Sequence, residues 1–268
     1  MTQMAPVENE PSPAGRLSAS GAHESHRPDG DGPKREDTRH YSSFAFYKFD
    51  PDFLKLSKSK RSSAVREFMG YLDSWSQKIQ LHAYSTQGTR SDVDFTLWRI
   101  SPRLDDIHAM SVAIRKIAIG AYLRAPYSYL SMTKKSMYVD ASGARPAHRH
   151  PGQEGTRLFL EPSNARYLFV YPFVKTHEWY QLPMEDRQKM MSEHIDAGHR
   201  FPTVKVNTTY AFGLDDPEFV VAFESDHPGD FLDLVMALRA SRARPYTERD
   251  TPIFTCIRKT FKELCAEF

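Results

Sequence analysis

Cysteine is scarce in this sequence, which contains only Cys256 and Cys265. Both lie near the end of the chain, and no histidine pair beside them completes the ligand spacing of a zinc site. A fold held together by a disulfide framework is therefore not expected, and a reducing compartment fits the sequence best.

Long apolar runs and an excess of charge of one sign are also missing. No stretch approaches the roughly 20 apolar residues that a membrane-spanning helix needs, and no apolar segment typical of a secretion signal stands near residue 1. The 36 basic and 34 acidic residues leave a formal net charge of +2, which points neither to nucleic acid nor to an anionic membrane. These absences predict a cytoplasmic protein with no membrane span and no nucleic-acid partner.

Residues 1–40 lack aromatic side chains altogether, and Val7 and Leu17 are their only large aliphatic residues. Proline and glycine are frequent in the same stretch. Such a segment cannot bury enough apolar surface to offset the entropy that ordering would cost. We therefore predict a disordered tail at residues 1–40.

From Tyr41 onward, the hydrophobic period gives the same order of elements twice, strand–helix–strand–strand–helix–strand. The predicted helices lie at residues 60–76, 102–123, 183–197 and 229–241. A βαββαβ unit is the ferredoxin-like arrangement, in which helices cover one face of an antiparallel sheet. The predicted fold class is therefore α+β, with tandem ferredoxin-like units of the dimeric α/β barrel type in one chain.

The predicted domain boundaries follow from this repeat. Residues 41–140 form the first ferredoxin-like domain and residues 161–268 the second. Residues 141–160, rich in Gly, Pro, Ala and His, are expected to form an exposed loop that crosses between them.

The helix predicted at 183–197 is the stretch most informative about function. Pro183 and the acidic residues after it suit a helix start, and Gly198 suits its end. Residues at three- and four-residue spacing place His194 on a face with methionines and alanine: Arg187, Met190, Met191 and Ala197. Most histidines on an apolar face are ordinary core residues. An imidazole beside flexible, polarisable methionines would, however, also suit the proximal side of a haem, whose iron needs an axial base.

Short motifs on both sides of this helix decide between these interpretations. They are Tyr171-Pro172-Phe173-Val174-Lys175, Glu178-Trp179-Tyr180, Leu182-Pro183, Glu193-His194, Gly213-Leu214-Asp215-Asp216, Val221-Ala222-Phe223-Glu224, Leu238-Arg239 and Asp250-Thr251-Pro252-Ile253-Phe254-Thr255. In this order they resemble the chlorite dismutase and coproheme decarboxylase family. The resemblance is strong over the second block, weaker over the first, and absent from the tail.

The resemblance implies a reaction and the residues that perform it. His194 would be the axial iron ligand, and Tyr171 would be the oxidisable tyrosine of a peroxide-dependent coproheme decarboxylase. Lys175 and Arg157 match positions that hold propionates in the family, and Tyr138 is a weaker match of the same kind. Iron coproporphyrin III (coproheme) would be both substrate and cofactor. Hydrogen peroxide would be the oxidant, and conversion of two propionates to vinyl groups would give haem b.

The residue thirteen positions after His194 distinguishes the two activities of the family. Chlorite dismutases have an arginine there, whose guanidinium can retain an anionic intermediate by charge and paired donors. Here the position is Asn207, which favours decarboxylation and is expected to face the cofactor. Chlorite dismutase, a non-catalytic haem-binding protein and a cofactor-free α/β barrel stay as alternatives.

Other positions depart from the family pattern. Arg244 stands roughly where many relatives have a propionate-binding serine, and it could bind the same anion more strongly. The stretch from Arg239 to Arg244 lacks the glutamate that often bonds the axial imidazole. His148 and His150 in the crossing loop are candidate distal bases. Relatives assemble as homo-oligomers, commonly homopentamers, so the same is expected here.

Overall fold

The structure, a computed structural model, describes residues 39–138 and 158–268. All but residues 39 and 40 of the predicted tail lie outside these two stretches. Most of the predicted crossing loop lies outside them as well.

The described chain contains the βαββαβ order twice. The first copy runs through β1 (Tyr41–Phe49), α1 (Asp52–Lys55), α2 (Lys58–Ser76), β2 (Gln80–Ser85), β3 (Phe95–Ser101), α3 (Leu104–Ile114) and β4 (Leu123–Met132). The second runs through β5 (Tyr167–Lys175), α4 (His177–Gln181), α5 (Met184–His199), β6 (Lys205–Tyr210), β7 (Phe219–Ser225), α6 (Pro228–Arg239), β8 (Thr247–Arg249), β9 (Phe254–Lys259) and α7 (Phe261–Cys265). The predicted fold class is confirmed.

The helix predicted at 102–123 was too long at its C-terminal end. α3 ends at Ile114, and a 3-10 helix at Ala118–Tyr122 leads into β4. The chain turns so closely here that a Cβ atom on Gly120 would lie 2.0 Å from the carbonyl oxygen of Ile114. Only glycine fits this position. Helical periodicity of the apolar residues continues through this turn, so the pattern alone does not reveal it.

The two copies share one closed antiparallel barrel. The strand order is β7-β6-β4-β1-β3-β2-β9-β5, and β5 pairs with β7 to close the ring, while β8 adds to the edge of β5. The copies meet at the β2–β9 pair, where Ala83 lies opposite Lys259, and at the β4–β6 pair, where Met132 lies opposite Tyr210. The contact between β4 and β6 is a single residue pair, so the ring is joined most weakly there.

Side chains of both copies fill the inside of the barrel. Phe254 of the second copy stacks on Phe46 of the first with ring centroids 3.9 Å apart. Outside the barrel, helices cover each copy: α2 and α3 pack on the first, and α6 packs on the second with α5 beside it. Within the described stretches, no helix is both long and apolar enough to cross a bilayer.

Candidate functional site

The outer face of β5, β6 and β7 carries the chemistry-bearing side chains of the second copy. Strand register sorts the residues of these strands between two faces, because successive side chains of a strand point to opposite sides. Tyr171 pairs with Val221, and both belong to the apolar cluster that includes Phe231 and Leu234 of α6. Tyr171 therefore points out of the barrel, toward the helices.

His194 lies on α5, which packs against α6, the helix whose Phe231 and Leu234 lie on this face. The imidazole is partly buried and donates or accepts no hydrogen bond among the described residues. Burial, with the charge of Lys175 adding to it and that of Glu193 opposing it, lowers the pKa of His194 to about 4. The ring is thus neutral near pH 7, the form that offers a nitrogen lone pair to a metal.

Tyr171 is nearly enclosed, with 8% of its surface exposed, and its ring stacks on that of Phe223 at a centroid distance of 5.9 Å. Burial raises the pKa of its phenol, and the carboxylate of Asp250 adds to this rise. The guanidinium groups of Arg239 and Arg244 act in the opposite direction. The phenol therefore stays protonated and stands among two cations and one anion.

Lys175 ends the same strand on the same face as Tyr171. It is 9% exposed, its ammonium donates to the carbonyl oxygen of Ala243 at 3.3 Å, and the ammonium lies 4.2 Å from the ring centroid of Trp179. Burial lowers its pKa to about 8, with Glu218 opposing and Arg244 adding to the shift. The charge of Lys175 thus acts on His194, and the charge of Arg244 acts on Lys175.

Tyr138 also comes to this region. Its carbonyl oxygen accepts a 2.9 Å hydrogen bond from the Gln188 side chain of α5, and its ring lies edge-on to Trp179 at 6.4 Å. The structure thus brings together His194, Tyr171, Lys175, Tyr138 and Arg244.

Asn207 does not join this group. It pairs with Ala222, whose side chain belongs to the core inside the barrel, and its amide donates to Glu224 at 2.9 Å. The residues of β6 that point toward the helices are Val206, Thr208 and Tyr210, and Thr208, which pairs with Val221, is exposed. The spacing from His194 pointed to Asn207. The side chains of β6 alternate between the two faces, so Val206 and Thr208 point outward and Asn207, between them, points into the barrel.

Three further predicted residues lie outside the described stretches. They are Arg157, His148 and His150. Their roles stay predictions.

Sequence reasoning assigned no function to a second set of residues near the site. Asp250 accepts a 2.6 Å hydrogen bond from Arg244 and forms an ion pair with Arg239, and Glu218 accepts a 2.6 Å hydrogen bond from the Tyr180 hydroxyl. Arg239 and Asp250 belong to the family motifs quoted above, and this membership was the only sequence signal that could have identified them. Glu193, next to His194 in sequence, accepts a 2.6 Å hydrogen bond from Arg242.

Comparison with known proteins identifies the family of the chain. A family model described as chlorite dismutase matches residues 61–259. A coproheme decarboxylase from Mycolicibacterium smegmatis is 34% identical over 187 residues, which are 69% of this chain and 75% of that protein. Another, from Staphylococcus carnosus, is 30% identical over 210 residues, 74% of this chain and 83% of that one.

A solved structure shows the same fold. The chlorite dismutase from Candidatus Nitrospira defluvii in complex with imidazole superposes with a TM-score of 0.74 at 27% identity, covering 85% of this chain and 94% of that one. The family model spans most of the sequence, and the two curated relatives agree with it. The chain belongs to the chlorite dismutase family.

Proposed function

We propose that this protein is a peroxide-dependent coproheme decarboxylase, in which His194 binds the iron and Tyr171 reacts with the propionates. One observation carries the proposal. A buried, protonated tyrosine flanked by cations lies on the sheet face that α6 packs against, and the neighbouring α5 holds a neutral imidazole with no hydrogen-bond partner among the described residues. An iron porphyrin with carboxylate arms needs both kinds of group.

The donor set fits this substrate. Iron needs one strong axial base, and His194 supplies a neutral nitrogen beside Met190 and Met191, whose thioethers suit a flat apolar ring. Carboxylate arms need cations, and Lys175, Arg239 and Arg244 stand at the edge of the same region.

The overall reaction balances for each propionate. The arm loses carbon dioxide, one proton and two electrons and becomes a vinyl group, while peroxide takes up two electrons and two protons and becomes two waters. The bound iron porphyrin supplies the activation of peroxide. Tyr171, kept protonated by its environment, gives up its phenolic hydrogen, and its oxygen then takes a hydrogen atom from the propionate β-carbon.

Two observations favour decarboxylation over chlorite chemistry. The curated relatives named above are coproheme decarboxylases. No residue of β6 is an arginine, and its outward-facing residues, Val206, Thr208 and Tyr210, carry no charge to hold an anionic intermediate. Chlorite dismutase is the second candidate, because the solved structure described above has that activity in its name.

One assay tests both candidates. Purified protein is loaded with iron coproporphyrin III, peroxide is titrated in, and the porphyrin mass is followed. We expect successive loss of two carboxyl groups in the native protein and none in Tyr171→Phe, which should still bind. Tyr167→Phe, on the same strand face, is the matched control and should convert normally. Unchanged mass in the native protein would favour a haem carrier, and oxygen release from chlorite would favour the dismutase.

Binding of the iron is tested separately by spectroscopy. His194→Ala should lose the spectrum of five-coordinate histidine-bound iron, whereas His199→Ala, on the same helix, should keep it. Retention of that spectrum in His194→Ala would remove the ligand assignment. We also propose a cytoplasmic homopentamer, as the resemblance implies, and measurement of the native mass in solution tests the oligomer.

A further inference from the structure

Trp179, on α4, is a second oxidisable ring close to the site. Its side chain is 2% exposed, and its ring centroid lies 6.4 Å from that of Tyr138 and 5.6 Å from that of Tyr246. Indole and phenol side chains give up an electron about equally readily near neutral pH. Trp179 therefore competes with Tyr171 for any oxidising equivalent in this region, and the two neighbouring tyrosines offer that equivalent a path away from the substrate.

The ammonium of Lys175 lies over the ring of Trp179. Its Nζ atom is 4.2 Å from the ring centroid, and the hydrogen bond that it donates to the carbonyl oxygen of Ala243 holds it there. Both side chains are buried, so water screens the charge of the ammonium less than it would at the surface. A cation in this position is attracted by the electron-rich face of the neutral indole.

The same cation disfavours the oxidised indole. Loss of an electron leaves a radical cation, and a positive charge held over the ring in a weakly screened interior repels it. Among the described residues, the indole Nε1 of Trp179 has no hydrogen-bond partner, and no carboxylate lies within ion-pair distance of the Lys175 ammonium. Neither a proton acceptor nor a counter-ion therefore removes the repulsion.

Tyr171 differs from Trp179 in the charges around its ring. Its ring stacks on the uncharged ring of Phe223. The charge that acts most strongly on its phenol is the carboxylate of Asp250, with Arg239 and Arg244 opposing it. A nearby negative charge favours removal of an electron, whereas the cation over Trp179 disfavours it.

We propose that Lys175 directs oxidation to Tyr171 by protecting Trp179. This inference rests on the proposed function, because Tyr171 must first lose its phenolic hydrogen. In the step that Lys175 disfavours, the Tyr171 oxygen takes one electron from the indole and one proton from solvent and becomes a phenol again. Trp179 is left as a radical cation, and no oxidant remains for the propionate.

Protection matters most when both propionates have already reacted. Tyr171 then has no substrate hydrogen to take, so excess peroxide leaves an oxidising equivalent without a target. Protein loaded with haem b and treated with excess peroxide is therefore the most sensitive sample.

Mass spectrometry of the peptide that contains Trp179 tests the proposal. Equal loading with haem b is set from the Soret band, and oxygen added to Trp179 is counted after peroxide treatment. Lys175→Met, which keeps the length of the side chain but removes its charge, should contain about tenfold more oxidised Trp179 than the native protein, a change that corresponds to about 1.4 kcal/mol. Lys175→Arg keeps a cation that can lie over the ring, and it should stay near the native level.

Two controls separate this effect from general damage. Lys134→Met removes an exposed ammonium that lies 5.7 Å from the ring centroid of Tyr210, and it should leave oxidation of Trp179 unchanged. Trp98, which is 1% exposed inside the barrel, is the internal reference in every sample. Circular dichroism of each variant shows whether the barrel is still folded.

Each outcome decides a different question. Equal oxidation of Trp179 in Lys175→Met and native protein would overturn the protection while leaving the proposed function standing. Oxidation in Lys175→Arg as high as in Lys175→Met would also overturn it, because the lost packing and not the lost charge would then be responsible. A parallel rise at Trp98 would overturn it as general damage. A native protein that binds neither coproheme nor haem b would overturn the proposed function, and the protection with it.

Discussion

The two copies of the βαββαβ unit bury their helices to very different extents. In the first, α2 buries Ala64, Phe68, Tyr71 and Leu72 against the barrel. In the second, α5 occupies the corresponding place in the order of elements but fully buries only Ala197. The long helix of the first copy is thus packed into a core, whereas the helix at the same position in the second copy is mostly only partly buried.

Buried cations show the same contrast. In the first copy, Arg99 is held by the hydroxyl groups of Ser43 and Ser111 at 2.7 and 2.6 Å. In the second, Lys175 has a backbone carbonyl as its hydrogen-bond partner and a pKa lowered to about 8. Neither set of partners removes the positive charge, but the Lys175 ammonium uses one of its three N–H donors in this hydrogen bond, so the other donors are available to an anion. The comparison teaches that one copy contributes stability and the other contributes the site.

The largest loss of stability should come from removing a buried side chain of the first copy. Phe68→Ala removes a ring that is 0% exposed and lies between Tyr71 and Phe95. We expect the free energy of unfolding to fall by about 3–5 kcal/mol, the usual cost of losing a buried phenylalanine. Urea denaturation measures it. A loss below about 1 kcal/mol would contradict the view that the first copy is the more tightly packed one.

The second-largest change in the free energy of unfolding should come from ligand binding to the second copy. Coproheme at a hundredfold excess over its dissociation constant should add about 2.7 kcal/mol to the free energy of unfolding. Hydrogen exchange should slow mainly in α5, with little change in α2, because the proposed iron ligand His194 belongs to α5. Equal slowing in both helices would remove the distinction between the copies.

A smaller effect should follow the charge of Lys175. Its pKa of about 8 means that the ammonium is charged below pH 8 and neutral above it. Coproheme affinity should therefore be full near pH 7 and fall about tenfold by pH 9, as one titrating group predicts. Lys175→Arg, whose charge persists to higher pH, should flatten this profile. A native profile that is already flat would show that Lys175 contributes no charge to binding.

The smallest change in unfolding free energy should come from a substitution on α5, the less buried helix of the second copy. Met191→Ala, on the partly buried face of α5, should cost less than about 1 kcal/mol of unfolding free energy, since little packed surface is lost. It should weaken coproheme binding instead. Urea denaturation with and without ligand separates the two effects, and a cost equal to that of Phe68→Ala would mean that both copies are equally packed.

Local patterns were sufficient for much of this protein. The 3.6-residue period placed His194 on the inner face of α5, and the twofold order of elements predicted the α+β fold class. The family motifs placed Tyr171 and Lys175 on one strand, where their even spacing puts them on one face. Each of these signals depends on neighbours within a few residues, so the sequence contains it in full.

Other features depend on contacts between distant segments. The register of β6 against β7 turns Asn207 into the barrel and Thr208 outward, and no spacing from His194 contains that information. The turn at Gly120 depends on the backbone of Ile114. For the same reason, sequence reasoning assigned no joint role to Arg239 and Asp250.

The amino-acid sequence by itself determined the elements, the repeat, and which residue types line each face of a helix or strand, because these follow from local periodicity and chain stereochemistry. Only the tertiary structure decided that β2 pairs with β9 and β4 with β6, so that two repeats close one barrel. It also decided that Asp250 would join two arginines beside Tyr171. Pairing and clustering of this kind depend on the balance of many long-range contacts, which no single stretch of sequence contains.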